Sequence, residues 1–306
     1  MKILVTGGTG LVGSSFKNIA TEHKFNFISS TYDLTKKRES DRMLYDFSPD
    51  AVIHLAAKVG GVKGNMTMMY DFYTDNIKIN TNVIDSCKEF GIKKVVSLLS
   101  TCVYPDNVKY PLTEDQIHNG EPHVSNYGYA YAKRMLDVHS RAVRSQHNLN
   151  YITAIPNNIY GPNDNFDLEN GHVIPAIIRK IYEAKKTNKI PVFWGSGMPL
   201  REFTCSKDIA RAILRLLENY NGINPVNIGK TGDVSIKEVV EIISECLSYS
   251  GEIQWDKTKP EGQYKKPSSN KKFLNMFEDF EYTSFKQGIK ETCEWFVEKY
   301  PKVRGV

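Results

Sequence analysis

The stretch Thr6-Gly7-Gly8-Thr9-Gly10-Leu11-Val12-Gly13 constrains this chain more than any other. It follows an apolar run, residues 2–6, and precedes a helical pattern. The spacing Gly7-x-x-Gly10-x-x-Gly13 differs from the plain G-x-G-x-x-G, but the physics is shared. Glycines permit a tight turn and let backbone N–H groups approach a pyrophosphate at the positive end of a helix. A turn of this kind between a first strand and a first helix predicts a dinucleotide-binding sheet.

Further apolar runs at 25–29, 51–56, 94–99 and 151–156 read as strands. Helical patterns at 12–23, 76–90 and 129–146 separate them. Strands with little polar alternation, divided by helices, predict an α/β fold with a doubly wound parallel sheet of the Rossmann type over residues 1–162. After Gly161-Pro162 the texture changes. A polar, turn-rich stretch at 163–171 leads into helical patterns at 172–186, 208–220, 236–247 and 285–300. Short strands are expected at Val192-Phe193-Trp194 and at 225–228. Residues 163–306 are therefore expected to form mainly a smaller, mixed α/β substrate-binding lobe. Roughly 203–229 is expected to return to the first domain.

The end of the second strand sets cofactor preference. An acid there would grip a ribose 2′-hydroxyl and repel a 2′-phosphate. The chain has Ser29-Ser30-Thr31 instead, with no acid before Asp33, and Lys36, Lys37 and Arg38 follow closely. This composition favours NADP(H). Tyr129 and Lys133 are four residues apart, so on a helix they share one face. An ammonium beside a phenol favours phenolate and is expected to lower the tyrosine pKa. Such a tyrosine hands a proton to a carbonyl oxygen as hydride arrives at its carbon. Ser100, at the C-terminal end of the fourth strand, supplies a hydroxyl to hold that carbonyl.

Composition removes other classes. The net charge is +5 and neither half is markedly basic, which disfavours a nucleic-acid reader. No apolar run approaches the roughly 18 residues of a membrane span, so no membrane partner is expected. Five scattered cysteines make neither a disulfide scaffold nor a zinc motif, and no metal is expected. With no signal-peptide layout at the N-terminus, a cytoplasmic address is expected. The densest positive stretch, 257–272, has six lysines against Glu261.

The glycine loop, Ser100 and the Tyr129/Lys133 pair together resemble the extended short-chain dehydrogenase/reductase family. Within it, the chain is most similar to the GDP-L-fucose synthase subfamily of bifunctional GDP-4-keto-6-deoxymannose 3,5-epimerase/4-reductases. The resemblance rests on His54-Leu55-Ala56-Ala57-Lys58-Val59-Gly60-Gly61, Ser100-Thr101-Cys102-Val103-Tyr104-Pro105 and Asn126-Tyr127-Gly128-Tyr129-Ala130-Tyr131-Ala132-Lys133. It continues through Asn170-Gly171-His172-Val173-Ile174-Pro175, Trp194-Gly195-Ser196-Gly197 to Arg201-Glu202-Phe203, and Thr258-Lys259-Pro260-Glu261-Gly262.

The resemblance implies roles. Cys102 would be the epimerisation base and His172 the acid, acting on the protons α to the ketone. Ser100, Tyr129 and Lys133 would serve the reduction. The cofactor would meet Gly7, Gly10, Leu11, Val12, Gly13, Ser30, Asp33, Leu34, Leu55, Ala56, Ala57, Tyr129, Lys133, Pro156, Asn158 and His172. The GDP-4-keto-6-deoxy sugar would meet Asn157, Arg179, Lys180, Trp194, Arg201 and Lys266, with the lysine-rich stretch near its diphosphate. A homodimer is implied as well. Two other readings stand beside this one. The chain would instead be a C4 reductase of another GDP-4-keto-6-deoxy sugar, such as a heptose, with or without epimerase activity. More remotely, it would be a non-catalytic NADP-binding regulator, a class that typically lacks the tyrosine or lysine retained here.

Overall fold

Alternate side chains of the same strands enter two different cores, and this decides the architecture. In β1 (Lys2–Thr6), Ile3 and Val5 pack into one core and Leu4 into the other. In the strand at Ala51–His54, Ala51 and Ile53 go one way and Val52 the other. A sheet buried on both faces needs helices on both, and a parallel order supplies them. The computed structural model describes residues 1–259 and 263–306, the side chains of Val62 and Lys63 apart. Pro260, Glu261 and Gly262, the end of the 258–262 stretch, lie outside the described residues.

After β1 come α1 (Leu11–Ser15), β2 (Lys24–Ile28), α2 (Lys37–Phe47), β3 (Ala51–His54), α3 (Val62–Thr67), α4 (Met69–Glu89), β4 (Lys94–Leu98), α5 (Tyr127–His147) and β5 (Asn150–Ile155). There follow β6 (Asn158–Tyr160), α6 (Val173–Thr187), β7 (Val192–Trp194), β8 (Leu200–Arg201), β9 (Phe203–Cys205), α7 (Ser206–Asn219) and β10 (Val226–Asn227). Last are β11 (Val234–Ser235), α8 (Ile236–Cys246), β12 (Gln254–Asp256), α9 (Lys271–Met276) and α10 (Phe285–Lys299).

The main sheet runs β2-β1-β3-β4-β5-β10, every pair parallel. One face is covered by α1 and α7, the other by α2, α4 and α5. The order reverses between β1 and β3, so the crevice for a ligand opens at the carboxyl ends of those two strands. A third core gathers Phe166, Phe193, Phe203 and Phe296 with apolar residues of α6, α8 and α10. Three two-stranded ladders, β6-β9, β7-β12 and β8-β11, frame that part of the chain. The segment from β9 to β10 crosses back: Ile209, Ile213 and Leu216 of α7 fill the first core, and β10 extends the main sheet.

Two helices differ from expectation. The first was expected over 12–23, but α-helix stops at Ser15 and a tight turn carries the chain to Asn18. Val12 and Phe16 are buried there, and Thr21-Glu22-His23 offers no apolar residue to continue the stripe. The helix expected at 76–90 begins two turns earlier, at Met69. Phe72 anchors its added turns in the interior, while Tyr70 and Tyr73 face outward and blur the pattern.

Candidate active site

The glycine loop lies at the switch between β1 and β3. Gly7 adopts φ +68°, and a Cβ there would lie 2.9 Å from the Ala56 backbone nitrogen. The two strand ends thus approach backbone to backbone. Gly10 caps α1 with no side-chain hydrogen bond, which leaves first-turn N–H groups for a ligand. A Cβ on Gly13 would collide with the Gly7 carbonyl oxygen and stand 2.6 Å from Gly8 Cα. Gly13→Ala is therefore expected to destabilise the chain by about 1–3 kcal/mol and to weaken NADPH binding. An unchanged melting temperature and NADPH Kd would refute this packing account.

These residues fit a phosphorylated dinucleotide. Ser30 and Thr31 are exposed, and Asp33 pairs with Lys36 at 3.2 Å and accepts hydrogen bonds from the Thr35 N–H and hydroxyl. The basic run is less available than its sequence implies. Lys37 is committed to Asp41 and to Glu89 at 2.6 Å, which leaves Arg38 as its most exposed member. Leu34, Val12 and Pro156 are buried, Leu55, Ala56 and Ala57 are half-buried after β3, and Asn158 is exposed.

Behind the loop runs a closed chain of hydrogen bonds that the sequence did not reveal. The Thr6 hydroxyl accepts from the Leu55 and Ala56 N–H groups, 3.2 Å each, and meets His54 Nδ1 at 2.8 Å. His54 Nε2 lies 3.1 Å from Asn80 Oδ1, and the Asn80 amide donates to the Ala132 carbonyl. That direction assigns the ring proton to Nε2. Burial, and next the Lys133 charge, push the His54 pKa down to about 3, so it is a neutral brace. It ties β1 to α5 one residue before Lys133.

Ser100 ends the stretch after β4 and caps the turn 101–103, accepting from the Cys102 N–H at 3.3 Å. Its own hydroxyl donates to Cys102 Sγ at 3.3 Å. Tyr129 and Lys133 lie one turn apart on α5, with Lys133 Nζ 5.8 Å from the Tyr129 ring centroid. Lys133 Nζ donates to the Leu98 carbonyl at 2.7 Å, and burial lowers its pKa to about 8. The expected lowering of the tyrosine is reversed. Burial dominates and raises the Tyr129 phenol well above its ordinary value. A neutral phenol is the form a proton donor needs.

His172 occupies the position before α6, half-exposed and next to the 163–171 loop. The loop is organised by Asp167 Oδ1, which accepts from the Glu169 and Asn170 N–H groups. It touches the cofactor side through Gly61 N–H to the Asn170 carbonyl, 3.3 Å. Asp164 lies 3.8 Å from His172 Nδ1, and this carboxylate raises the imidazole pKa. From the sequence this loop reads only as a polar, turn-rich stretch. An acid eight residues before the histidine was the available signal.

The residues expected at the nucleotide diphosphate are not all alike. Lys266 reaches the catalytic turn, with Nζ donating to the Thr101 carbonyl at 3.1 Å. Burial lowers its pKa, and the charge of Arg201 lowers it further. Lys266 and Arg201 both bring positive charge to this edge of the site, which suits an anion. Trp194 is 63% exposed on β7, not core. Lys180 lies behind it, donating to the Val192 carbonyl. Arg179 has a different surrounding: it bonds Glu183 and the Phe166 and Gly305 carbonyls, knitting the C-terminus to α6. Asn157 is buried, bonding Thr204, the Lys230 carbonyl and Glu202.

Residues 3–229 match the model of the NAD dependent epimerase/dehydratase family. The chain is 44% identical to a GDP-L-fucose synthase of Dictyostelium discoideum over 311 residues, covering 99% of this chain and 97% of that one. A crystal structure of a GDP-L-fucose synthetase from Naegleria fowleri bound to NADP superposes with a TM-score of 0.94 at 41% identity, over 99% of this chain and 94% of the other. A GDP-6-OMe-4-keto-L-xylo-heptose reductase from C. jejuni gives a TM-score of 0.89 at 25% identity, over 97% and 98%. With the loop, the crevice and the Ser100/Tyr129/Lys133 cluster in place, the chain belongs to the NAD dependent epimerase/dehydratase family and, within it, to the GDP-L-fucose synthases.

Proposed function

We propose that this enzyme converts GDP-4-keto-6-deoxy-D-mannose to GDP-L-fucose by epimerising C3 and C5 and then reducing C4 with NADPH. The observation that carries this reading is the placement of Cys102 in the turn next to Ser100 while His172 arrives on a separate element, α6. Protons at C3 and C5 are acidic because both carbons flank the ketone. Inversion needs a base and an acid on opposite faces of the sugar. Cys102 removes the proton, and His172, whose pKa Asp164 raises, returns one. Ser100 and Tyr129 hydrogen-bond the ketone oxygen and stabilise each enolate. NADPH, when bound, would supply the hydride that reduces C4. Tyr129 then donates its proton to the C4 oxygen, and Lys133 holds the nicotinamide ribose. Lys266 and Arg201 bind the diphosphate, and Trp194 packs on the guanine.

Turnover in D2O tests the sequence of steps. Deuterium is expected at both C3 and C5 of the fucose product, with C4 carrying hydrogen from NADPH. Product with no deuterium at either carbon would favour the second reading, a C4 reductase of another GDP-4-keto-6-deoxy sugar. That reading draws on the likeness to the heptose reductase.

The enzyme pairs as a homodimer through α4 and α5 in this proposal. Met69, Tyr70 and Tyr73 expose apolar surface on the first turns of α4, Met66 adds to it from α3, and Tyr127, Met135 and Val138 are exposed on α5. Light scattering is expected to give twice the chain mass, and a monomer at micromolar concentration would remove this part. Among the described residues no helix is long and apolar enough to cross a membrane. The five unpaired cysteines support a cytoplasmic address.

A further inference from the structure

Glu202 is an acid in the middle of an apolar strand region, flanked by Arg201 and Phe203. It is only 3% exposed. A carboxylate taken out of water is costly unless donors surround it. The donors here come from three different segments. The Ser268 N–H and hydroxyl both reach Oε2, at 2.9 and 2.5 Å. The Gly232 N–H reaches Oε1 at 3.4 Å, and the Asn157 amide reaches Oε2 at 3.5 Å. The shortest contacts all fall on one residue, Ser268.

Ser268 belongs to the segment that carries Lys266. That segment is fastened at several points. Its Pro267 carbonyl and Ser269 N–H pair with Leu112, 2.9 Å each. The Tyr264 carbonyl accepts from Leu200 N–H at 2.7 Å, and Lys265 pairs with Asp233 at 2.6 Å. Between these anchors Lys266 extends to the Thr101 carbonyl at 3.1 Å. Only Pro267, with its fixed φ, separates Lys266 from Ser268. Fixing Ser268 therefore fixes which way Lys266 points.

We propose that Glu202 is a positioning residue for the anion-binding edge of the site: its carboxylate clamps Ser268 and thereby sets Lys266 beside Arg201 and the Thr101–Cys102 turn. This rests on the reading that a GDP-sugar binds there. Glu202 is buried, and its short bonds go to Ser268. It acts through a lysine, and its loss should look like the loss of that lysine.

The experiment compares wild type, Glu202→Gln, Lys266→Met and the double variant, with GDP itself as the titrated probe. Glutamine keeps the volume, removes the charge that strengthens the contacts, and turns one acceptor into a donor facing other donors. Glu202→Gln is expected to weaken GDP binding about tenfold, the scale of one charge-assisted hydrogen bond. The double variant is expected to bind GDP no more weakly than Lys266→Met alone, because the two act as one unit. In turnover, KM for the GDP-sugar should rise while kcat changes less, and NADP⁺ affinity should stay at the wild-type value. GDP affinity within twofold of wild type in Glu202→Gln, or losses that multiply in the double variant, would overturn the proposal. Should Glu202→Gln fail to fold, Ser268→Ala removes only the hydroxyl half of the clamp and is read against Lys266→Met in the same cycle. Wild type that binds no GDP refutes the functional reading and this inference together. Wild type that binds GDP with an unaffected Glu202→Gln refutes the inference alone.

Discussion

Tyr129→Phe is expected to slow C4 reduction by about 10²–10⁴-fold, the usual worth of a positioned proton donor, while NADPH still binds. The substitution deletes one hydroxyl and leaves the ring packing of α5. The phenol is the group that needs to be neutral before transfer, and burial keeps it so by raising its pKa. Lys133 has the complementary problem. Its ammonium is buried, with a pKa lowered to about 8, and is held by the Leu98 carbonyl. The charged form predominates below that value and is lost as pH rises through it. Reduction is therefore expected to fall on the alkaline side with a midpoint near 8, shifted upward if bound phosphates add negative charge nearby. Single-turnover NADPH fluorescence across pH measures both effects. A Tyr129→Phe variant that reduces a 4-keto sugar at the wild-type rate would end the assignment. A rate constant to pH 10 would end the role given to the charged lysine.

The parallel sheet was legible because its strands are buried on both faces, so runs such as Ala51-Val52-Ile53 carry no polar alternation. The catalytic helix was legible because Tyr129 and Lys133 share one face at fixed spacing. Helix ends were less so. Whether a turn continues past Ser15, or begins at Met69, depends on which core receives Phe16 and Phe72, and that is a tertiary matter. Interactions between distant positions left almost no trace. His54 is linked to Thr6 across 48 residues and Glu202 to Ser268 across 66. Local pattern has no access to such pairings. The sign of the Tyr129 shift was missed for a related reason. Spacing predicts that Lys133 is near, but the balance between a nearby charge and desolvation depends on how deeply the helix is covered, and here burial wins.

Cys102→Ser is expected to lower deuterium exchange at C3 and C5 by about 10²–10⁴-fold with NADPH affinity retained. A serine hydroxyl fits the same space but is a far weaker source of anion than a thiol. The turn itself should survive, because Ser100 caps it through the Cys102 backbone N–H and Lys266 grips the Thr101 carbonyl. Neither contact uses the sulfur. His172→Gln should fail differently. Asp164 raises its imidazole pKa, which suits an acid that returns a proton to the opposite face. Without it Cys102 can still remove and restore protons on its own face, so exchange persists while inversion stops. Exchange and inversion thus report on separate side chains, one in the turn after β4 and one at the start of α6. NMR of the substrate pool in D2O, without NADPH, separates the two. Full exchange and inversion in Cys102→Ser would show that another group is the base. Equal loss of both in His172→Gln would show that the histidine, not the cysteine, starts the reaction.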